Sequence, residues 1–282
     1  MNNSIKFASP TFLFHEGQLG GILDVIPYLA GCGFDGFELY GLFGESAKNI
    51  KRVCDEHSIV VMGDHVPYPE IVGDTKNVIK DRLTLGMKFV TVEKIPEDHL
   101  PGQPYFSDMV KDITRVAKEC KEAGLQLLYH NHGHDLMTKV DGKYVLEGIL
   151  DAFDPELLKF QHDLGWMQLG GGDPAYFLEK YKDRSPVIHL KDFYCVAPMR
   201  LTHAGALGFK RGGPEYEYFE FRPTGYGIVN FPKYMPAVFA CNPEWLVADH
   251  DLSYERDTIV DLTDSLNYVK KLVTLYPDLY KA

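Results

Sequence analysis

The chain has 282 residues, 45% of them hydrophobic, enough for one large core; α/β barrels reach this length as one domain, so residues 1–282 are expected to form a single unit. A formal net charge of -11, with no long stripe of Lys and Arg, argues against a phosphate backbone as partner. Five scattered cysteines with no CxxC pair exclude a disulfide framework and a zinc knuckle, and no segment approaches the roughly 18 to 20 apolar residues that span a bilayer, so a soluble, unprocessed protein of the reducing cytoplasm is expected.

Strand and helix signals alternate along the whole chain. Strands are expected at Lys6 to Phe12, Gly36 to Tyr40, Ile59 to His65, Phe89 to Glu93, Leu125 to His130, Leu158 to Asp163, Val187 to Asp192 and Trp245 to Asp249. Between them lie helical stretches with recognisable ends. Ser107-Asp108 opens a run stopped at Ala123-Gly124, and Asp173-Pro174 starts Ala175 to Tyr181. The last helix, about Asp257 to Val273, sets Ile259, Leu262, Leu266, Val269 and Leu272 on one face. Eight strand and helix pairs with nearly continuous apolar strands predict an α/β fold, a single (β/α)₈ TIM barrel. A long loop insertion follows the seventh strand. From Phe193 to Asn230 the chain is rich in Gly and Pro and contains Glu215-Tyr216-Glu217-Tyr218-Phe219-Glu220-Phe221, which reads either as a surface excursion with a small hairpin or as a lid or docking surface on the active-site face.

Four of the strands end in groups that bind divalent metals. They are Tyr129-His130-Asn131-His132, Gln161-His162-Asp163, His189-Leu190-Lys191-Asp192 and Ala248-Asp249-His250-Asp251. The C-terminal strand ends are where such a barrel builds its active site. A carboxylate buried there is costly unless paired or metal-bound, which makes Asp163, His189 and Asp249 candidate ligands. Asp249 and Asp251 alternate to one side of the eighth strand with His250 opposite, and one of the two aspartates could instead cap the last helix or pair with Arg256.

The fifth strand leaves a choice. Either His130 or Asp135 completes the ligand set, with His132 free as acid or base near its ordinary pKa of about 6.5; the plain alternative is that these histidines bond buried backbone. A mixed imidazole and carboxylate set suits a divalent transition ion, Mn²⁺ first and Zn²⁺, Co²⁺ or Fe²⁺ next, better than Ca²⁺. Glu38, His65 and Glu93 end other strands, where each could bind a substrate hydroxyl, move a proton or support a ligand. Lys191, two residues past His189, can steady a developing oxyanion, and Tyr40 and Trp166 offer flat surfaces for a sugar ring. Gly170-Gly171-Gly172-Asp173-Pro174 lacks the lysine of a phosphate loop and reads as a turn; no GxGxxG follows a strand, and no Gly-x-Ser-x-Gly motif is present.

The segments Tyr129-His130-Asn131-His132, Asp163-Leu164-Gly165-Trp166 with Gly171-Gly172-Asp173-Pro174, His189-Leu190-Lys191-Asp192 and Gly225-Tyr226-Gly227-Ile228-Val229-Asn230-Phe231 resemble, in order, those of the sugar phosphate isomerase/epimerase family. This is the xylose-isomerase-like barrel superfamily, which includes inosose dehydratases, ketose 3-epimerases and hydroxypyruvate isomerases. The resemblance implies a metal quartet of Glu, Asp, His and Glu on the fifth to eighth strands. Asp163 and His189 match its middle positions, His130 or Asp135 its first, and Asp249 its last. Both terminal glutamates are thus replaced, which disfavours a standard ketose epimerase.

One branch with a similar pattern comprises the large subunits of C-glycoside deglycosidases. It implies cleavage of a 3-oxo-C-glucoside by an elimination-type reaction, together with a small second subunit. The expectation is a metal-dependent enzyme that removes a proton beside the carbonyl of a keto-sugar or related polyol, with His132 or Glu93 as base. It would act as a homo-oligomer, or with a small second subunit, on a small sugar or glycoside. Phosphodiester hydrolysis, known among nucleases of the superfamily, is opposed by the acidic balance; a carbohydrate-binding barrel without catalysis is the non-enzymatic alternative.

Overall fold

The computed structural model describes residues 5–14, 19–195, 219–254 and 256–279. Eight parallel strands close a barrel: β1 (Lys6–Pro10), β2 (Gly36–Tyr40), β3 (Val60–Val66), β4 (Phe89–Val92), β5 (Gln126–His130), β6 (Leu158–Asp163), β7 (Val187–His189) and β8 (Trp245–Val247). Each pairs with its neighbours in sequence and β1 pairs with β8, so the sheet has no edge. This is the TIM barrel read from the sequence.

The strands bury both faces. Alternate residues point to the helical shell, as Phe37 and Leu39 do on β2, or into the barrel. Ala8, Met62, Phe89, Leu128, Val187, Trp245 and Val247 form a dry plug inside the barrel. Gly36 is required by that plug: a Cβ there would stand 2.9 Å from the Trp245 ring and 2.8 Å from the Val60 carbonyl. Around the outside, the helix Phe106–Glu122 buries Met109, Ile113, Val116, Ala117 and Cys120 on one stripe, and the last helix runs Thr258–Thr274 with the Asp257 side chain accepting from the Ile259 amide. Asp257 therefore caps that helix, while Arg256 pairs with Asp261 and Asp264; neither role falls to Asp249 or Asp251.

Two local features set what the barrel presents at its mouth. The pairing of β2 with β3 shifts register between Phe37 and Glu38, which face Val61 and Gly63. The extra residue in β3 reverses the alternation after Met62, so His65 turns inward and Asp64 outward. There Asp64 meets Arg82 at 2.5 Å and accepts from the Gly41 amide, both partners of the ion pair being almost wholly buried.

The seventh strand is shorter than expected. Beyond His189 the chain leaves the barrel, and Asp192–Cys195 forms an antiparallel ribbon with Phe219–Arg222. The Asp192 carboxylate fastens the return of this excursion by accepting from four backbone amides, those of Phe193 and Val229 on Oδ1 and of Gly225 and Gly227 on Oδ2, at 2.8–3.1 Å. The middle of the insertion, 196–218, lies outside the described residues, as does the expectation of a lid or docking surface there.

Candidate metal and substrate site

Above the apolar plug the inward side chains turn polar. Leu128 gives way to His130 on β5, Val187 to His189 on β7, and Val247 to Asp249 after β8. One cleft is lined by Glu38, Tyr40, His65, Glu93, His130, His132, Trp166, His189, Lys191, Asp249 and Asp251. Of the residues singled out in the sequence, only Asp163 and Asp135 are missing from that lining, and only Asp135 stands apart from the cluster.

Two groups of buried donors converge, and they share His189. Donor atoms of Asp163, His189 and Asp249 lie within 4.8 Å of one another, as do those of His65, His130 and His189. Asp135 belongs to neither. It follows Tyr129, which faces the helical shell, and its Oδ2 accepts from the Tyr129 hydroxyl and the His132 amide, both at 3.0 Å. The fifth-strand candidate that reaches the cluster is His130.

Asp163 illustrates how local structure aims a ligand. The Asn131 side chain extends the β5–β6 ladder by one step, accepting from the Asp163 amide at 2.9 Å and donating to its carbonyl at 3.2 Å. Asp163 Oδ1 then accepts from the Trp166 amide at 2.8 Å, capping the helix Leu164–Leu169. Its Oδ2 is buried and without a hydrogen-bond partner, as are His65 Nε2 and His189 Nε2. Orphaned buried acceptors and imidazole nitrogens that face one another are costly unless something positive sits among them. The donor set therefore fits a divalent ion.

Lys191 brings positive charge of its own. Its ammonium stands 2.7 Å from Asp251, 2.9 Å from Asp249 and 3.9 Å from Asp163, beneath the rings of Trp166 and Phe221. Burial alone would lower its pKa, yet the Asp249, Asp251 and Asp163 carboxylates raise it, so the ammonium stays charged. Burial lifts the Asp163 carboxyl well above its usual range, with Asp249 adding to the effect, whereas Lys191 and His189 hold Asp249 far below it in spite of burial. Glu38 is likewise held low, against burial, by His65 and His189. Burial and the charges of His134, His65 and Lys191 keep His132 well below the ordinary imidazole value, so it is neutral at pH 7. Tyr40, raised by burial and by its bond to Glu93, remains a hydroxyl donor.

Gln161 and Asp192 were not singled out in the sequence. Gln161 shares the inward face of β6 with Asp163, and that two-residue spacing was the available signal. Asp192 gave no signal, because its four amide partners come from its own neighbour and from residues 33 to 37 positions away.

Residues 26–259 match the family described as xylose isomerase-like TIM barrel. The chain belongs to that family. Among relatives of this xylose isomerase-like barrel, the inosose dehydratase of Mesomycoplasma hyopneumoniae (strain 7448) is 25% identical over 282 residues, covering 91% of each chain. The inosose dehydratase of Geobacillus kaustophilus is 33% identical over 87 residues, a match that spans only 31% of this chain and 27% of that protein. A sugar phosphate isomerase/epimerase from Parabacteroides distasonis superposes with a TM-score of 0.71 at 17% identity, covering 94% of this chain and 98% of the other; that likeness concerns the fold. Among the described residues no helix is long and apolar enough to cross a membrane.

Proposed function

We propose that this chain is a metal-dependent enzyme that removes a proton from the carbon beside the carbonyl of a keto-sugar or oxidised polyol, in an isomerase, epimerase or dehydratase type of reaction. The carrying observation is the meeting of orphaned buried donors with a neutral imidazole and a buried ammonium in one cleft. The sugar-processing relatives support the substrate class. A divalent ion would be held at His189, the residue common to both donor groups, and when bound it supplies Lewis-acid polarisation of a carbonyl or neighbouring hydroxyl oxygen.

The remaining work falls to side chains. Neutral His132 accepts the proton, with no prior deprotonation needed at pH 7. Lys191 donates to the oxygen that becomes negative, its charge already balanced by Asp249 and Asp251, so nothing must reorganise as the enolate forms. The Tyr40 hydroxyl donates to Glu93, which turns its oxygen toward the cleft to accept from a substrate hydroxyl, and Trp166 gives the ring a flat wall.

Incubation in D₂O with a panel of keto-sugars and inososes tests this. Uptake of deuterium beside the carbonyl, lost in His132→Gln, is the expected result. No exchange with any member, or cleavage of DNA instead, would overturn the reading.

A further inference from the structure

The hydrogen-bond network assigns the proton on two of the three clustered imidazoles. Gln161 donates its amide Nε2 to Glu38 Oε1 at 2.7 Å, which leaves its Oε1 facing His130 Nδ1 at 2.9 Å. An amide oxygen only accepts, so His130 carries its proton on Nδ1 and offers Nε2 as a lone pair. His189 Nδ1 lies 2.7 Å from Asp249 Oδ2, an acceptor held ionised by Lys191, so its Nδ1 also bears a proton. Carboxylate or amide oxygens behind an imidazole in this way are the usual support of a metal-binding histidine.

Glu38 completes the set. With Oε1 held by Gln161, its Oε2 stands 3.0 Å from His189 Nε2 and 3.1 Å from His65 Nε2. Both contacts are at ion-pair distance, and both nitrogens are buried without a hydrogen-bond partner. Ligands at right angles around an ion, each on a bond of about 2.1 Å, lie about 3.0 Å apart, so this is the spacing of neighbours in one coordination shell. The rings of His65 and His189 stand 4.7 and 4.8 Å from that of His130.

We propose that a single transition-metal ion is seated by His65, His130 and His189 through Nε2 and by Glu38 through Oε2, and that the carboxylate corner of Asp163 and Asp249 serves Lys191. The inference rests on the metal dependence proposed above. It departs from the quartet that the family resemblance implies, because the Lys191 ammonium already lies among the oxygens of Asp163, Asp249 and Asp251, where a dication would meet its repulsion. Three imidazoles and one carboxylate select Zn²⁺, Co²⁺, Fe²⁺ or Mn²⁺ over Mg²⁺ and Ca²⁺.

The full chain, stripped of metal and titrated with Co²⁺ under visible absorption, tests the seat, with Cu²⁺ loading of the wild type and pulsed EPR to count coordinated imidazoles. One Co²⁺ per chain and three imidazoles are expected. His65→Gln should weaken Co²⁺ binding by about 100-fold and Asp163→Asn by no more than about 3-fold, with circular dichroism confirming that both are folded. Loss of binding in Asp163→Asn with retention in His65→Gln, or two imidazoles or fewer in the EPR count, overturns this seat and leaves metal dependence standing. Failure of the folded wild type to bind Co²⁺ or Zn²⁺ overturns metal dependence itself.

Discussion

Replacing Asp192 tests whether one carboxylate holds the return of the insertion to the barrel. Its two oxygens accept from two backbone amides each, and the residue is 1% exposed. Asp192→Ala leaves four donors without a partner. At about 1 kcal/mol or more for each unsatisfied group, the loss should be about 4 kcal/mol, the lower end because Gly225 and Gly227 are only partly buried and water can reach them. Asp192→Asn keeps one accepting oxygen and turns an NH₂ toward the other pair of amides, so it should cost about half as much, about 2 kcal/mol. Urea denaturation of both variants, followed by fluorescence and far-UV circular dichroism, measures the two values. A loss under about 0.5 kcal/mol for Asp192→Asn, or equal losses for the two variants, would refute the count of amides.

Further outcomes follow from the site and its walls. His132→Gln should lower kcat by about 10² to 10⁴-fold with little change in KM and no change in melting temperature, measured by steady-state kinetics and calorimetry once a substrate is in hand. Gly165→Ala should destabilise the fold by several kcal/mol, since its Cβ would sit 2.4 Å from the Lys191 carbonyl and neither backbone can yield; a thermal melt within about 1 °C of the wild type would contradict this. Burial pushes His162 down to about 3, against an ordinary value of 6.5 in the unfolded chain. Because the unfolded chain binds the extra proton between those values, the stability this residue contributes is complete above pH 6.5 and falls as the pH drops toward 3. About 2 kcal/mol should be lost by pH 5, an upper figure, and the loss should vanish in His162→Gln when unfolding is compared at pH 7.5 and pH 5.

The barrel was legible because apolar runs with polar ends carry their own period. Val187 to His189 and Trp245 to Val247 stand where the apolar runs predicted strands, although the sequence extended both too far, since nothing local tells that Asp192 starts a ribbon leaving the sheet. Asp249 and Asp251 on one side with His250 behind also followed from simple alternation: the aspartates meet Lys191, and His250 meets Ser253 and Asp261. The choice between His130 and Asp135 could not be read, because it depends on a short turn at His134–Met137 that leaves Asp135 beside Tyr129 on the outer wall. The place of Glu38 was hidden for a different reason. Its neighbours His65, Gln161 and His189 reach it from three other strands, 27, 123 and 151 residues along the chain, and only barrel closure brings them together.

The added residue in β3 decides which of two adjacent side chains looks into the cleft. If the strand regained its regular pleat with Gly63 still in place, the acid at 64 would replace the imidazole at 65 without any change of amino acid at either place, whereas deleting Gly63 would keep the imidazole inward. The electronic character of a barrel's centre can thus be rewritten by backbone phase alone, and alignments that compare letters column by column would overlook the change.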